Sequence, residues 1–256
     1  FGDATRPLVS CLQALTGAIA LARALRPHWE GQHTVGILLP PSVGGALANV
    51  AATLSGRTTV NLNYTVGVKG LASTAKRAGL MAVLTSRVFL EKAKVELPSN
   101  LTPIWIEEIR NTIDSLARLT AVLLALFAPI RMLERRCGAI IPPTINDVAT
   151  IIFSSGSTGE PKGVLLSHFS LDSNVEGIAQ VLHVDQHDRL LGILPFFHSF
   201  GYLATLWFPT IHGAGVIYHP SPLDAGPIGE LIHQHRITIL IATPTFLQLY
   251  VRRCTP

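Results

Sequence analysis

Short apolar runs alternate with longer amphipathic segments along most of the chain, the pattern of strands joined by helices into a largely parallel sheet. Leu12 to Leu25, rich in Ala and Leu, predicts a helix. Thr34 to Leu39 follows as a short buried strand stopped by Pro40-Pro41. Val43 to Leu54 predicts a second helix, Thr58-Thr59-Val60 a strand, Val68 to Arg77 a helix and Met81 to Leu84 a strand. Farther along, Ile151-Ile152-Phe153 reads as a buried strand. Val164-Leu165-Leu166 then leads to Ser167, a good N-cap for a helix running toward Leu182. Leu190 to Leu194, Gly215 to Tyr218 and Ile237 to Ile241 predict three more strands, each followed by a helix, and the last helix begins near Pro244. The expected fold class is α/β, with partly wound parallel-sheet layers and flanking helices. Pro142-Pro143 is the clearest linker, which predicts a first subdomain over 1–141 and a second over 142–256.

The segment 112–136 departs from this rhythm. Leu116, Leu119, Leu123, Leu126, Ile130 and Leu133 recur at steps of three and four and line one helical stripe, flanked by Arg118, Arg131, Arg135 and Arg136. The uninterrupted apolar block, Ala121 to Ala128, is far short of the roughly twenty residues a bilayer span needs. A basic helix of this kind is able to lie at an anionic membrane surface. The favoured expectation is an ordinary helix whose stripe packs on the sheet or on a partner domain, with Pro129 kinking or dividing it.

Composition narrows the classes. The chain has 256 residues, 48% of them hydrophobic and only 14% charged. With a mean hydropathy of +0.40, this predicts apolar surface that meets lipid, a partner or a further domain. A net charge of +4 permits an anionic ligand, but no dense Lys/Arg run with interleaved aromatics supports nucleic-acid binding. Cys11, Cys137 and Cys254 are few, odd in number and widely spaced, as expected of reduced cysteines in a cytoplasmic protein. The opening Phe1-Gly2-Asp3 carries no secretory signal and reads as the start of a piece of a longer protein. His183 and His187, and His233 and His235, lack a third ligand at metal-site spacing, so they read as surface histidines and no metal site is expected within the chain.

The chemistry concentrates between Ser154 and Gly163. Bound phosphates need several donors converging at close range, and backbone N–H groups approach closely only where side chains are small. Gly156, Gly159 and Gly163 meet that need, Ser154, Ser155, Ser157 and Thr158 add hydroxyls, and Lys162 supplies a mobile cation. This is not the P-loop, which ends in Gly-Lys-Ser/Thr at a helix start, because here Pro161 precedes Lys162 and an apolar run follows Gly163. A serine- and glycine-rich surface hairpin is the plainer alternative.

These ten positions resemble the signature of the adenylate-forming (AMP-binding) superfamily, which includes acyl-CoA synthetases, acyl-carrier-protein synthetases, luciferases and peptide-synthetase adenylation domains. The resemblance implies ATP with Mg²⁺ as cofactors and the front part of the family's large domain as the fold. It also implies a carboxylate attacking the α-phosphate to give acyl-AMP, with Lys162 and the loop hydroxyls steadying the departing pyrophosphate. Pro195-Phe196-Phe197-His198-Ser199-Phe200-Gly201 is similar to a second family motif, making His198 the candidate for orienting the acid, against the alternative of a packed core histidine. Thr243 and Thr245, after the Ile237 to Ile241 strand, are weaker candidates for the acyl pocket. Pro40-Pro41-Ser42, Asn61 to Thr65 and Thr243 to Leu247 resemble the branch of acyl-acyl-carrier-protein synthetases and 2-acylglycerophosphoethanolamine acyltransferases, although Asn61 and Asn63 also suit turn formation.

On that resemblance the expected protein is a fatty-acid ligase passing its acyl group to acyl carrier protein or CoA, in the cytoplasm or at the inner membrane face, and the branch resemblance further implies transfer onward to a lysophospholipid by a fused acyltransferase. Later family elements, including the small domain with its catalytic lysine, are absent from these 256 residues, so the stretch alone is expected to be inactive. The alternatives are a plain long-chain acyl-CoA synthetase, an amino-acid adenylation domain, and a noncatalytic membrane-docking or scaffold module that keeps the loop as a relic.

Overall fold

The computed structural model describes residues 1–4, 8–154 and 161–254. The chain divides into two compact units, one made of Phe1–Cys11, Pro40–Val43 and Leu171–Pro256, the other of Leu12–Leu39 and Gly44–Ser170. In chain order the elements of the larger unit are α1 (Cys11–Leu25), β1 (Thr34–Leu38), α2 (Val43–Leu54), β2 (Thr58–Asn61), α3 (Gly67–Arg77), β3 (Ala82–Thr85), α4 (Arg87–Ala93), β4 (Thr102–Trp105), α5 (Ile106–Thr112), α6 (Ser115–Phe127), α7 (Ile130–Cys137), β5 (Val148–Ser154) and β6 (Lys162–Ser167). The expected first elements therefore form within a residue or two of their predicted bounds, whereas α4, β4 and α5 had no distinct sequence signal.

The six strands of this unit run in the order β4-β3-β1-β2-β5-β6, parallel throughout except for the last pair, β5 and β6, which are antiparallel. The parallel strands read as near-continuous apolar runs because helices cover them. One cluster joins Val60, Val83, Leu71 and Ala75 with Phe89 and Leu90, so α3 and α4 pack on the strand side chains that Ile151 and Phe153 also reach. Gly17 lets α1 approach Leu47 of α2 closely. The expected boundary at Pro142-Pro143 falls inside this unit, because β5 joins β2 and continues the same sheet.

Attachment of β5 to β2 relies on threonine hydroxyls. Only Thr59 and Thr150 are ladder partners, but the Thr150 hydroxyl donates to the Thr59 carbonyl at 3.0 Å and the Thr58 hydroxyl to the Val148 carbonyl at 2.7 Å. Asn61, expected as a turn former, instead ends β2 in the core. Its amide and that of Asn49 on α2 bond reciprocally, at 2.8 and 3.1 Å, with both residues buried. Burial is the reason: at that depth an amide needs an amide partner rather than a turn. Asn63 does form the expected turn, accepting from the Thr65 backbone N–H at 2.9 Å.

Pro129 divides the basic segment into α6 and α7, as expected. Of the expected leucine stripe only its last member, Leu133, is buried. Leu116, Leu119, Leu123, Leu126 and Ile130 are exposed, while Ala121, Leu124, Leu133 and Cys137 face inward. Small residues let the helix seat closely, so the side bearing Ala121 takes the core contact together with Leu124, and the leucines of the opposite side are left outside. The Cys137 carbonyl accepts from the Ser55 hydroxyl at 3.1 Å, which ties α7 to the turn after α2. Burial pushes the Cys137 thiol up to about 11, with the Arg23 guanidinium pulling the other way. Among the described residues no helix is long and apolar enough to cross a membrane.

The other unit contains α8 (His168–Ala179, from Leu171 onward), β7 (Arg189–Gly192), α9 (Ser199–Tyr202), a π-helical turn (Leu203–Trp207), α10 (Phe208–His212), β8 (Gly215–Tyr218), α11 (Ala225–His235), β9 (Ile239–Leu240) and α12 (Pro244–Arg253). Its three parallel strands run in the order β8-β7-β9. The expected Ile237 to Ile241 strand shortens to two residues. Leu191, Ile193, Ile217 and Ile228 centre its core, and the buried Tyr218 hydroxyl donates to the Thr205 carbonyl at 2.9 Å.

The Asn49–Asn61 pair yields a test by urea denaturation. Asn49→Leu strands the Asn61 amide and costs about 1–3 kcal/mol, whereas adding Asn61→Leu recovers part of that loss. Simple additivity of the two single losses would contradict the assigned coupling.

Candidate functional site: the hairpin loop and the His198 turn

The loop of the sequence signature connects the two strands of an antiparallel hairpin. β5 brings the chain to Ser154, β6 departs from Lys162, and these two residues are register partners. Ser155, Gly156, Ser157, Thr158, Gly159 and Glu160 lie outside the described residues. Among the described members of the signature, Ser154, Lys162 and Gly163 are exposed, which puts one hydroxyl and one cation at the open end of the hairpin.

A second cation stands there that the sequence reading did not single out. Arg77, the last residue of α3, donates from Nη1 to the Pro161 carbonyl at 2.9 Å. This contact spans most of the unit's sequence and was invisible to any local pattern. It holds the C-terminal limb of the loop and adds positive charge beside Lys162, an arrangement suited to a polyanion such as the phosphates of a nucleotide. Gly163 also has a packing duty. Its register partner is Phe153, and a Cβ at Gly163 would lie 3.1 Å from that ring and 3.0 Å from the Ile151 Cγ2. The missing side chain accommodates the aromatic ring across the hairpin.

After β6, the Ser167 hydroxyl accepts from the Ser170 backbone N–H at 3.1 Å, the expected cap of α8. His168 follows, its backbone N–H donating to the Asp147 carbonyl. Burial lowers the His168 imidazole below its ordinary value, while the Asp147 and Glu134 carboxylates pull it upward. Asp147 is itself lowered, chiefly by the backbone N–H and then by the hydroxyl of Thr144.

In the other unit, Pro195 to Gly201 forms a tight turn into α9. His198 is exposed rather than packed in the core, and its Nδ1 accepts from the Phe200 backbone N–H at 3.4 Å. With Nδ1 accepting, the neutral ring carries its proton on Nε2, which leaves a donor facing outward. Gly201 is indispensable to this turn, and the sequence reading assigned it no part. A Cβ there would lie 2.3 Å from the Pro195 carbonyl oxygen and 2.9 Å from the Leu194 carbonyl carbon, both backbone atoms. Thr243 takes the N-cap position of α12 without its hydroxyl bonding the helix, and Thr245 lies in the first turn; both are exposed. The loop-bearing residues and the set of His198, Thr243 and Thr245 belong to different units of the chain.

Among the described residues no group of three or more His, Cys, Asp and Glu is placed to hold a metal ion. His183, His187 and His233 are exposed, as expected of surface histidines, whereas His235 is half-buried.

Comparison with known proteins places the architecture. The chain belongs to the AMP-binding enzyme family, matching it over residues 9–256. It is 30% identical over 245 residues to the 3-[(3aS,4S,7aS)-7a-methyl-1,5-dioxo-octahydro-1H-inden-4-yl]propanoyl:CoA ligase of Mycobacterium tuberculosis, covering 92% of this chain and 46% of that one. To 4-coumarate–CoA ligase 5 of Oryza sativa it is 28% identical over 219 residues, covering 82% of this chain and 38% of the relative. The chain thus spans less than half the length of these relatives. Its fold is like that of o-succinylbenzoate CoA synthetase from Bacillus subtilis. The AMP complex of that protein superposes with a TM-score of 0.74 at 22% identity, over 95% of this chain and 58% of the other. The complex with ATP and magnesium gives 0.73 at 22% identity, over 94% and 46%.

Two outcomes follow from this geometry. Gly201→Ala forces its new methyl against backbone that cannot swing aside, so urea denaturation should show a loss of about 2–3 kcal/mol; an unchanged midpoint would contradict the packing described. For His168, a lowered folded value means the folded state prefers the neutral ring. Its contribution is therefore present above the ordinary value of 6.5 and is lost as pH falls below it. His168→Gln should flatten the decline of stability between pH 7 and pH 5, measured by denaturation at a series of pH values.

Proposed function

We propose that the chain is the nucleotide-engaging portion of an ATP-dependent acid–CoA ligase, which forms an acyl-adenylate and then an acyl thioester. The observation that carries this reading is the Ser154 to Gly163 signature closing the β5–β6 hairpin of an AMP-binding enzyme fold, with Lys162 and Arg77 at its C-terminal limb. Bound MgATP would supply the electrophilic α-phosphate and a pyrophosphate leaving group. Lys162, an exposed point charge at the start of β6, is assigned to the charge that builds on that leaving group. Ser154 and the loop hydroxyls and glycines from Ser155 to Gly159 are assigned to the phosphates. His198 is assigned to the acid: its outward Nε2–H suits a single bond to a carboxylate oxygen. Thr243 and Thr245 are assigned, with less geometry behind them, to the acyl pocket.

CoA is the acceptor the relatives' names favour, and those names describe acids that bear rings. The narrower fatty-acid, acyl-carrier-protein and acyltransferase readings rest on three short stretches, and local structure accounts for much of two of them. The Ser42 hydroxyl donates to the Pro40 carbonyl at 3.1 Å, Asn61 pairs with Asn49, and Asn63 turns the chain at Thr65. Residues with such structural duties suit any ligase of this fold. Magnesium is expected to be held by ligands other than the described residues.

The test is carboxylate-dependent exchange of labelled pyrophosphate into ATP by the full-length protein, run with aryl, polycyclic and fatty acids, followed by thioester formation on CoA and on acyl carrier protein. Lys162→Ala should lower exchange by roughly 100-fold or more with whichever acid is best. Undiminished exchange in that variant would remove the assigned role, and no exchange with any acid would favour the noncatalytic scaffold.

A further inference from the structure

Between the helices of the larger unit lies an open cleft of about 350 Å³ whose lining shares no residue with β5, β6 or the loop between them. Arg23 of α1, Arg26 of the turn after it, Thr112 and Ile113 before α6, Ala117 of α6 and Arg136 of α7 surround it, together with alanines of α1. Three arginines line it, and no lining residue is acidic.

Like charges around one cleft oppose folding, and one of these arginines carries a second cost. Arg23 Nη1 is buried and has no hydrogen-bond partner among the described residues. A buried donor left unpaired is unfavourable, and more so when it is charged. An anion seated in the cleft relieves the first of these, because a guanidinium presents a planar fork of donors matched to phosphate oxygens. The plainer account is that Arg23 and Arg136, in the last turns of α1 and α7, complement the helix dipoles. That account does not require three arginines, with no carboxylate among them, to line one cleft. Arg26 is positioned as well: its stem packs on Gly138, where a Cβ would lie 3.6 Å from the Arg26 Cγ.

We propose that this cleft is a binding site for a soluble phosphate ester. Its volume exceeds that of a phosphate group alone and leaves room for a small organic portion. A lipid headgroup offers the same phosphate chemistry, but the apolar surface points elsewhere. At 100° per residue, the exposed Leu119 and Leu123 project roughly 120–160° away from Ala117 around α6. A bilayer that took up the leucine face would leave the cleft aside.

The probe is inorganic pyrophosphate, titrated calorimetrically into the full-length protein carrying Lys162→Ala, which suppresses binding at the hairpin loop. Saturable binding is expected, weakened at least roughly tenfold by adding Arg23→Gln and Arg136→Gln and left in place by adding Arg118→Gln, a cation of α6 outside the cleft. Should Arg23→Gln unfold the protein, Arg136→Gln alone, at an exposed position, must still weaken binding. Absence of saturable binding, binding indifferent to Arg136, or equal loss with Arg118→Gln would overturn the site. Sedimentation with phosphatidylglycerol vesicles separates the sources: vesicle capture that depends on Arg23 and Arg136 without pyrophosphate binding would overturn the soluble ligand.

Discussion

The antiparallel register of β5 and β6 is the constraint on which the candidate phosphate site depends. In a parallel sheet every strand needs a long crossover before it can return, but an antiparallel partner can follow after a short loop. By turning back on itself at Ser154, the chain places a short hydroxyl- and glycine-rich segment at the strand ends and delivers Lys162 opposite Ser154. That register is in turn held from beneath. The hydroxyls of Thr58 and Thr150 bind β5 to β2, and the Asn49–Asn61 amide pair binds the end of β2 to α2. Arg77 closes the arrangement from α3 by holding the Pro161 carbonyl. The loop is thus suspended from polar contacts that reach three elements of the sheet layer, which suits a site whose donors have to be in place before the ligand arrives.

Glycine in the signature serves two masters. Small residues in such a loop invite a reading in which every glycine admits phosphate, yet Gly163 is matched to the ring of Phe153 across the hairpin. A side chain there would disturb the cross-strand packing and, through it, the position of Lys162 one residue earlier. The signature therefore specifies the geometry of its own support as well as the chemistry it offers.

Much of the fold was legible in the chain because parallel βα units write their period clearly. The bounds of α2 and β8 coincide with the expected ones, and those of α1, β1, β2 and α3 differ by a residue. The failures have physical causes. β4 and α5 join directly at Trp105 and Ile106, so no turn chemistry marks where strand gives way to helix. The leucine stripe of α6 was visible, but a helix apolar on nearly all sides carries no instruction about which side the core takes, and close seating on Ala121 decided it. Arg77 and Asn49 act through contacts distant in sequence. Gly201 lay inside a motif that had already drawn notice, but its meaning appears only once the Pro195 carbonyl is known to pass 2.3 Å from the missing Cβ.

The same comparison explains the high hydropathy of the chain. Low charge was expected to mean apolar surface, and the structure shows such surface at, among other places, the outer face of α6 and α7 and the edge strand β6 with exposed Val164 and Leu165. An edge strand that shows apolar side chains is ordinarily blunted by charge, and β6 carries a cation only at its first residue, Lys162. If Lys162 is committed to phosphate, its charge is neutralised when nucleotide binds, and the edge loses its only internal guard at that moment. Charge at the hairpin end and exposure along its outer strand are in this way linked properties of one six-residue element, and neither can be altered without consequence for the other.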